Sequence, residues 1–182
     1  GANGFSRVAA ALVQYHFEHA EPWFAAHIQI DPGVGINAGA AGIAVMFLLF
    51  GATGGLGKQL LPLMQTKYNV IGISSSDIDI TSFTQVNEFF ETNNIDIVIN
   101  LSGYNFDAFT HKINNEILNQ IDKQIDVNIK GTINIVSNCL SKMREQQFGR
   151  IILVSSVLAE HPVISTSIYA GCKGFVDSFT KT

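Results

Sequence analysis

The chain has 182 residues, 47% apolar and 14% charged, with a formal net charge of −4. That is enough for one domain with a sizeable core, and a mildly acidic balance without a Lys/Arg cluster argues against a nucleic-acid partner. Two cysteines, Cys139 and Cys172, are too few for a disulfide scaffold and stand at no metal-ligand spacing. A reduced, cytoplasmic setting is therefore expected.

Residues 1–45 read differently from the rest. Val8 to Phe17 suits a helix, Ala20-Glu21-Pro22 breaks it, and Asp31-Pro32-Gly33 signals a turn. His16, His19 and His27 have no carboxylate or fourth ligand at a recognised spacing, so no metal is expected. The start lacks a signal-peptide pattern. No charge stands between Asp31 and Lys58, which raises the question of a membrane span. The second half of that stretch reads as a strand and a glycine turn, whose open amides cannot lie in hydrocarbon; no membrane segment is expected. Met46 opens a self-sufficient pattern, so residues 1–45 are read as an extension of unknown role and 46–182 as the functional domain.

Strands and helices then alternate, which implies an α/β fold of Rossmann type, a doubly wound parallel sheet. The first strand is expected over 43–50 and a helix over about 55–66, with Pro62 awkwardly inside it. A strand over 68–74, a short strand around Ile78-Asp79-Ile80 and a helix over 83–93 capped by Thr81/Ser82 follow. Residues 95–100 read as a strand buried on both faces, and 103–111 as a loop. A long helix spans about 114–146 with a break near Val127-Asn128; Ile121, Ile125, Ile129, Ile133, Val136, Leu140 and Met143 fit one of its faces. A strand over 151–155 and a helix from about Ser165–Tyr169 complete the pattern.

Gly51, Gly55 and Gly57 follow the first strand with the spacing G-x-x-x-G-x-G. Such a turn brings bare amides and a helix dipole against an anion such as a pyrophosphate. Tyr169 and Lys173 are four apart, so a helix projects both from one face. An ammonium beside a phenol favours the phenolate, which predicts a lowered Tyr169 pKa.

Together these stretches resemble the short-chain dehydrogenase/reductase family, in particular 3-oxoacyl-[acyl-carrier-protein] reductases and related alcohol dehydrogenases. The resemblance is carried by Gly51-Ala52-Thr53-Gly54-Gly55-Leu56-Gly57, Asn100-Leu101-Ser102-Gly103, Asn128 within Val127-Asn128-Ile129-Lys130-Gly131, Ser156, and Tyr169-Ala170-Gly171-Cys172-Lys173. It covers Met46–Thr182, and the 13-residue step from Ser156 to Tyr169 selects Ser156 over Ser155. Phe50, where the family commonly has Thr, and Ser102 in place of Ala mark a divergent member.

The resemblance implies a catalytic set of Asn128, Ser156, Tyr169 and Lys173. Tyr169 would donate a proton to a carbonyl oxygen held by Ser156. Lys173 would hold the nicotinamide ribose, and Asn128 a water leading to solvent. The cofactor would lie on Gly51, Thr53, Gly54, Gly55, Leu56, Gly57, Ser74, Ser75, Asp79, Ile80, Asn100, Ser102 and Gly103, besides Tyr169 and Lys173. Asp79 would read adenine, or merely cap the next helix; Asn100 reads as a tie between strands, and Cys172 as a small packing residue. The second strand ends in Ser74-Ser75-Ser76 with no acid before Asp77, room for a 2′-phosphate, so NADP is favoured over NAD. The implied partners are a small carbonyl or alcohol, free or carried on an acyl-carrier protein, and a second copy of the chain, as homodimer or homotetramer through the long and Tyr-bearing helices. The family usually continues past the last helix here, so the chain reads as a fragment with strand 151–154 at an open edge. A non-catalytic nucleotide-binding module, or a relative acting on nucleotide-sugars, are the alternatives.

Overall fold

The structure is a computed structural model that describes residues 45–181. The expected helix near Val8, the three early histidines and the first half of the uncharged stretch lie outside the described residues.

Four parallel strands form one sheet in the order β2-β1-β3-β4, with β1 Met46–Phe50, β2 Asn69–Ile73, β3 Ile97–Asn100 and β4 Arg150–Leu153. Alternation along β1 sends Leu48 and Phe50 to one face and Phe47 and Leu49 to the other. The first face packs Ile73, Val98, Val86, Phe90, Ile135, Cys139 and Met143; the second packs Leu60, Met64, Ile97, Ile99 and Ile152. Helix α1 (Gly57–Gln65) therefore covers one face, while α2 (Phe83–Thr92) and α4 (Gly131–Glu145) cover the other. This is the doubly wound α/β arrangement of the Rossmann type.

Helix α1 runs through Pro62, which is solvent-exposed, so the carbonyl it leaves unpaired faces water. Ser82 accepts the Gln85 N–H at the start of α2, as a helix cap should. The long helix is interrupted where the sequence suggested. Helix α3 (Asn115–Ile125) passes into a π turn over Asp126–Lys130, in which the Gly131 N–H reaches Asp126 O, five residues back, before α4 begins. A last helix, α5, covers Ser167–Phe179.

Two expectations are corrected. Residues 78–80 form no strand: Ser74 and Asp77 close a turn, and Ile78 and Ile80 enter the core as turn residues. The expected apolar face of α3 and α4 also splits. Ile121 and Met143 are buried, but Ile125, Ile133 and Leu140 are 39–45% exposed. The buried stripe is instead Ile121, Gln124, Asn128, Thr132, Ile135, Cys139 and Met143, and its polar members bond to backbone as described below. Among the described residues no helix is long and apolar enough to cross a membrane.

Candidate functional site

The glycine turn sits at the carboxyl ends of the strands, where open parallel sheets bind ligands. Gly51 has φ of +75°, and a Cβ there would lie 2.8 Å from Leu101 C and 2.9 Å from Ser102 N. A Cβ on Gly57 would come within 2.1 Å of Gly51 O. These two glycines are required by the protein's own packing. A Cβ on Gly55, in contrast, would meet nothing within 4 Å, and Thr53 and Gly54 beside it are exposed. Leu56 leads into α1 without a side-chain cap, and no acid stands in the first turn. The unpaired amides there are free for an anion. Open space over Gly55 at a helix start without a side-chain cap fits a pyrophosphate.

Neighbouring β2 is tied to this turn by Ala52 N–H, which donates to Ile73 O at 3.0 Å. Past Ile73, Ser74 is buried and Ser75 exposed. Asp79 caps the following turn, accepting the Thr81 N–H at 2.9 Å and hydroxyl at 2.8 Å. Ile80 is buried against Gly131, and its carbonyl accepts from Asn134.

Beyond β3, Asn100 is buried. Its Oδ1 accepts Ser102 N–H at 2.9 Å, and its Nδ2 donates to Thr132 Oγ1 at 3.4 Å. It is a structural tie, from strand to α4. Gly103 is the next close approach: a Cβ there would lie 3.2 Å from Asn128 Oδ1 and 3.7 Å from Lys173 Nζ. Asn128, in the π turn and 1% exposed, donates to Tyr104 O at 2.6 Å and Gln124 O at 2.9 Å. Its Oδ1 has no protein partner among the described residues, so a buried acceptor faces the same space as the Lys173 ammonium.

Ser156 starts the loop after β4; its hydroxyl accepts the Leu158 N–H at 3.2 Å and acts on the neighbouring Tyr169 phenol. Its neighbour Ser155 is turned inward, donating to Lys173 O at 3.1 Å. Lys173 is 5% exposed; its Nζ donates to Val154 O at 2.9 Å and lies 5.7 Å from the Tyr169 ring centre. Burial lowers the Lys173 pKa to about 8. The expectation of a lowered Tyr169 pKa is corrected: burial raises it, outweighing the influence of the Ser156 hydroxyl, which lowers it. The ammonium is engaged with Val154 O, so desolvation decides the sign. Cys172 is buried, and desolvation raises its thiol, in keeping with a packing residue.

The structure thus brings Asn128, Ser156, Tyr169 and Lys173 to one end of the sheet, beside Gly103 and across from the glycine turn. Sequence reasoning missed the supporting side chains Gln124, Thr132 and Tyr104. Gln124 accepts from Phe106 N–H, Tyr104 donates to Gln120, and Thr132 donates to Asn128 O at 2.8 Å. Their signal was polar residues at 124, 128 and 132, one helical turn apart. Among the described residues no His/Cys/Asp/Glu group could hold a metal ion.

A family model described as short chain dehydrogenase matches residues 69–182. The chain belongs to the short-chain dehydrogenase family. An uncharacterized oxidoreductase of Staphylococcus aureus (strain MW2) is 29% identical over 162 residues, 85% of this chain and 68% of that protein. Another, of Staphylococcus saprophyticus, is 32% identical over 126 residues, 66% of this chain and 50% of that protein. Serine dehydrogenase from Escherichia coli has the same fold at a TM-score of 0.61 and 22% identity, covering 74% of this chain and 73% of its own. A small-chain dehydrogenase in complex with NADPH gives 0.68 at 21%, covering 76% and 63%. This short-chain dehydrogenase therefore spans from half to about three quarters of those proteins' length.

Proposed function

We propose that this short-chain dehydrogenase is an oxidoreductase interconverting a ketone and a secondary alcohol, with a nicotinamide dinucleotide as cofactor and Tyr169 as acid and base. The observation that carries the reading is the gathering of Ser156 and Tyr169 beside buried Lys173, whose Nζ lies 5.7 Å from the Tyr169 ring centre, at the strand ends that also bear the glycine turn. The turn from Gly51 to Gly57 holds the pyrophosphate, and Ser102 and Gly103 line the path towards Lys173. The bound nicotinamide supplies or accepts the hydride. Ser156 fixes the substrate oxygen and stabilises charge developing there. Tyr169 delivers the proton. Its raised pKa keeps the phenol protonated at neutral pH, which suits reduction; the reverse reaction requires the phenolate and gains with rising pH. Asn128 Oδ1 and Lys173 Nζ, both facing Gly103, hold a water that returns the proton.

The substrate is a small carbonyl compound, free or carried on an acyl-carrier protein. Leu118, Ile125, Ile133 and Leu140 recur every seven or eight residues along one exposed side of α3 and α4. That stripe supports self-association as a homodimer or homotetramer.

The test is fluorescence titration of the 182-residue chain with NADH and NADPH, alongside Gly55→Trp and Tyr169→Phe. Saturable binding is expected, lost in Gly55→Trp because the indole fills the space over the turn, where an added Cβ meets no protein atom. Tyr169→Phe should still bind cofactor while turnover of small ketones falls by roughly 10²-fold or more. Absence of binding by a folded sample overturns the reading and leaves a module without catalysis.

A further inference from the structure

The loop that leaves β3 is gripped by three side-chain amides. Gln120 and Gln124 in α3 and Asn128 in the π turn stand four apart, and all three reach the same stretch, residues 104–106. Gln120 Oε1 accepts the Tyr104 hydroxyl at 2.6 Å, Gln124 Oε1 accepts the Phe106 N–H at 2.5 Å, and Asn128 Nδ2 donates to Tyr104 O at 2.6 Å. Gln124 is 0% exposed, and a wholly buried polar side chain is the informative case. The bonds of Asn128 fix which way its amide faces. Its Nδ2 spends both hydrogens on carbonyls, Tyr104 O and, at 2.9 Å, Gln124 O. Its Oδ1 is thereby left beside Gly103 and the Lys173 ammonium: Oδ1 and Nζ lie 3.2 Å and 3.7 Å from the place a Gly103 Cβ would take. Of the two carbonyls, Gln124 O belongs to a helix, whereas Tyr104 O belongs to a loop. The loop's backbone is anchored two residues on, at Phe106 N–H, by the Gln124 side chain.

We infer that Gln124 is a positioning residue for the proposed reaction: by holding Phe106 N–H it keeps the Tyr104 carbonyl on Asn128, and so keeps Asn128 Oδ1 turned towards Lys173. The inference rests on the reading above, in which Asn128 and Lys173 share the water that returns the proton. Gln124 is buried and acts through Asn128. Without an acceptor at 124 the Phe106 N–H must turn to water, which lifts residues 104–106 from the helix. Asn128 then retains only Gln124 O as a fixed acceptor, and its amide can rotate to set Nδ2 opposite the ammonium. Two donors face each other in that arrangement, and neither accepts from the water between them. The other holds on the loop do not replace Gln124. The Tyr104 hydroxyl on Gln120 and the Lys123 ammonium, 4.6 Å from the Tyr104 ring centre, secure the ring, several bonds away from the carbonyl that Asn128 uses.

The test compares the full chain with Gln124→Leu, which removes both amide groups at similar bulk, and Gln124→Glu, which keeps an acceptor for Phe106 N–H in either charge state. Hydrogen exchange of the Asn128 side-chain amide is read by nitrogen-15 NMR, with the signal assigned through Asn128→Asp. Turnover is read with ethyl acetoacetate as probe ketone, with NADH and with NADPH, and cofactor binding by fluorescence titration. Gln124→Leu should speed exchange of the Asn128 amide roughly tenfold, about the effect of one hydrogen bond. It should lower kcat roughly tenfold or more through the misplaced group, with KM and the cofactor dissociation constant within about threefold of the parent. Gln124→Glu should return both exchange and kcat to within about threefold of the parent, although it buries a carboxyl. A role confined to folding follows stability instead: Glu then does no better than Leu, and cofactor binding weakens together with kcat. That pattern, or an Asn128 amide that exchanges equally fast in the parent and in Gln124→Leu, overturns the inference and leaves the proposed reaction standing. A folded parent chain that turns nothing over overturns the proposed reaction, and this inference with it.

Discussion

Lys173 is the most consequential buried charge in the site, and its burial makes a quantitative prediction about stability. The side chain is 5% exposed, its ammonium is satisfied by Val154 O, and its pKa falls from 10.5 to about 8. Below pH 8 the ammonium is protonated in both the folded and unfolded chains, and the folded state bears the desolvation. As pH rises through 8, the folded lysine releases its proton while the unfolded one retains it towards 10.5, so stability rises. One pH unit beyond the folded pKa amounts to about 1.4 kcal/mol, so the gain between pH 7 and 9 is about 1.3 kcal/mol. Cys139 acts in the opposite sense, since its thiol, pushed up to about 12, stays neutral when the unfolded thiol ionises near 9; that contribution is common to both chains compared. Urea unfolding followed by circular dichroism, on Lys173→Met and on the parent, both carrying Cys172→Ser to remove the coupled thiol, isolates the lysine. The stability of the parent relative to Lys173→Met should rise by about 1.3 kcal/mol from pH 7 to pH 9. A difference that stays flat, or falls, would refute desolvation as the origin of the lowered pKa.

Two further outcomes separate packing from binding. Gly57→Ala drives a methyl to 2.1 Å from Gly51 O, a backbone atom. It should destabilise the chain by about 2 kcal/mol or more, with loss of dinucleotide binding, whereas Gly55→Ala, with open space around it, should stay within ~0.5 kcal/mol of the parent. Ile135→Ala removes a fully buried side chain packed among Leu48, Phe50 and Val98. It should cost about 3–4 kcal/mol in urea unfolding.

The parallel sheet was legible because β1 and β3 are short apolar runs bounded by turn residues, and because the glycine turn fixes which strand leads into α1. The helix break at Val127-Asn128 was legible too, through its place in the family motif. What the sequence concealed was burial of polar groups. Periodicity weighs apolar side chains, so it placed Ile125, Ile133 and Leu140 in the core, although the face that packs on the sheet carries Gln124, Asn128 and Thr132. Residues 78–80 were misread for a related reason. Ile78-Asp79-Ile80 alternates as a strand does, but Asp77 and Asp79 hydrogen-bond short-range backbone groups, Ser74 N–H and Thr81 N–H, and that local chemistry wins over a ladder with no partner strand.

The same polar face lines the space beside the buried lysine. Gln124, Asn128 and Thr132 stand one turn apart across the π turn and spend most of their hydrogen bonds on backbone: Phe106 N–H, Tyr104 O and Asn128 O. These bonds fasten the loop after β3 down onto the helix, which brings Gly103 against Asn128 Oδ1 and Lys173 Nζ. The extra residue of the π turn is what directs Asn128 inward, and Gly131 lets the Ile80 side chain pack close, since a Cβ there would lie 2.7 Å from it. Among the described residues two atoms of this ladder, Gln124 Nε2 and Asn128 Oδ1, have no protein partner, and the water proposed between Asn128 Oδ1 and Lys173 Nζ would satisfy the second. Gln124 and Asn128 thus give the site a polar lining beside the ammonium, whose own hydrogen bond goes to Val154 O.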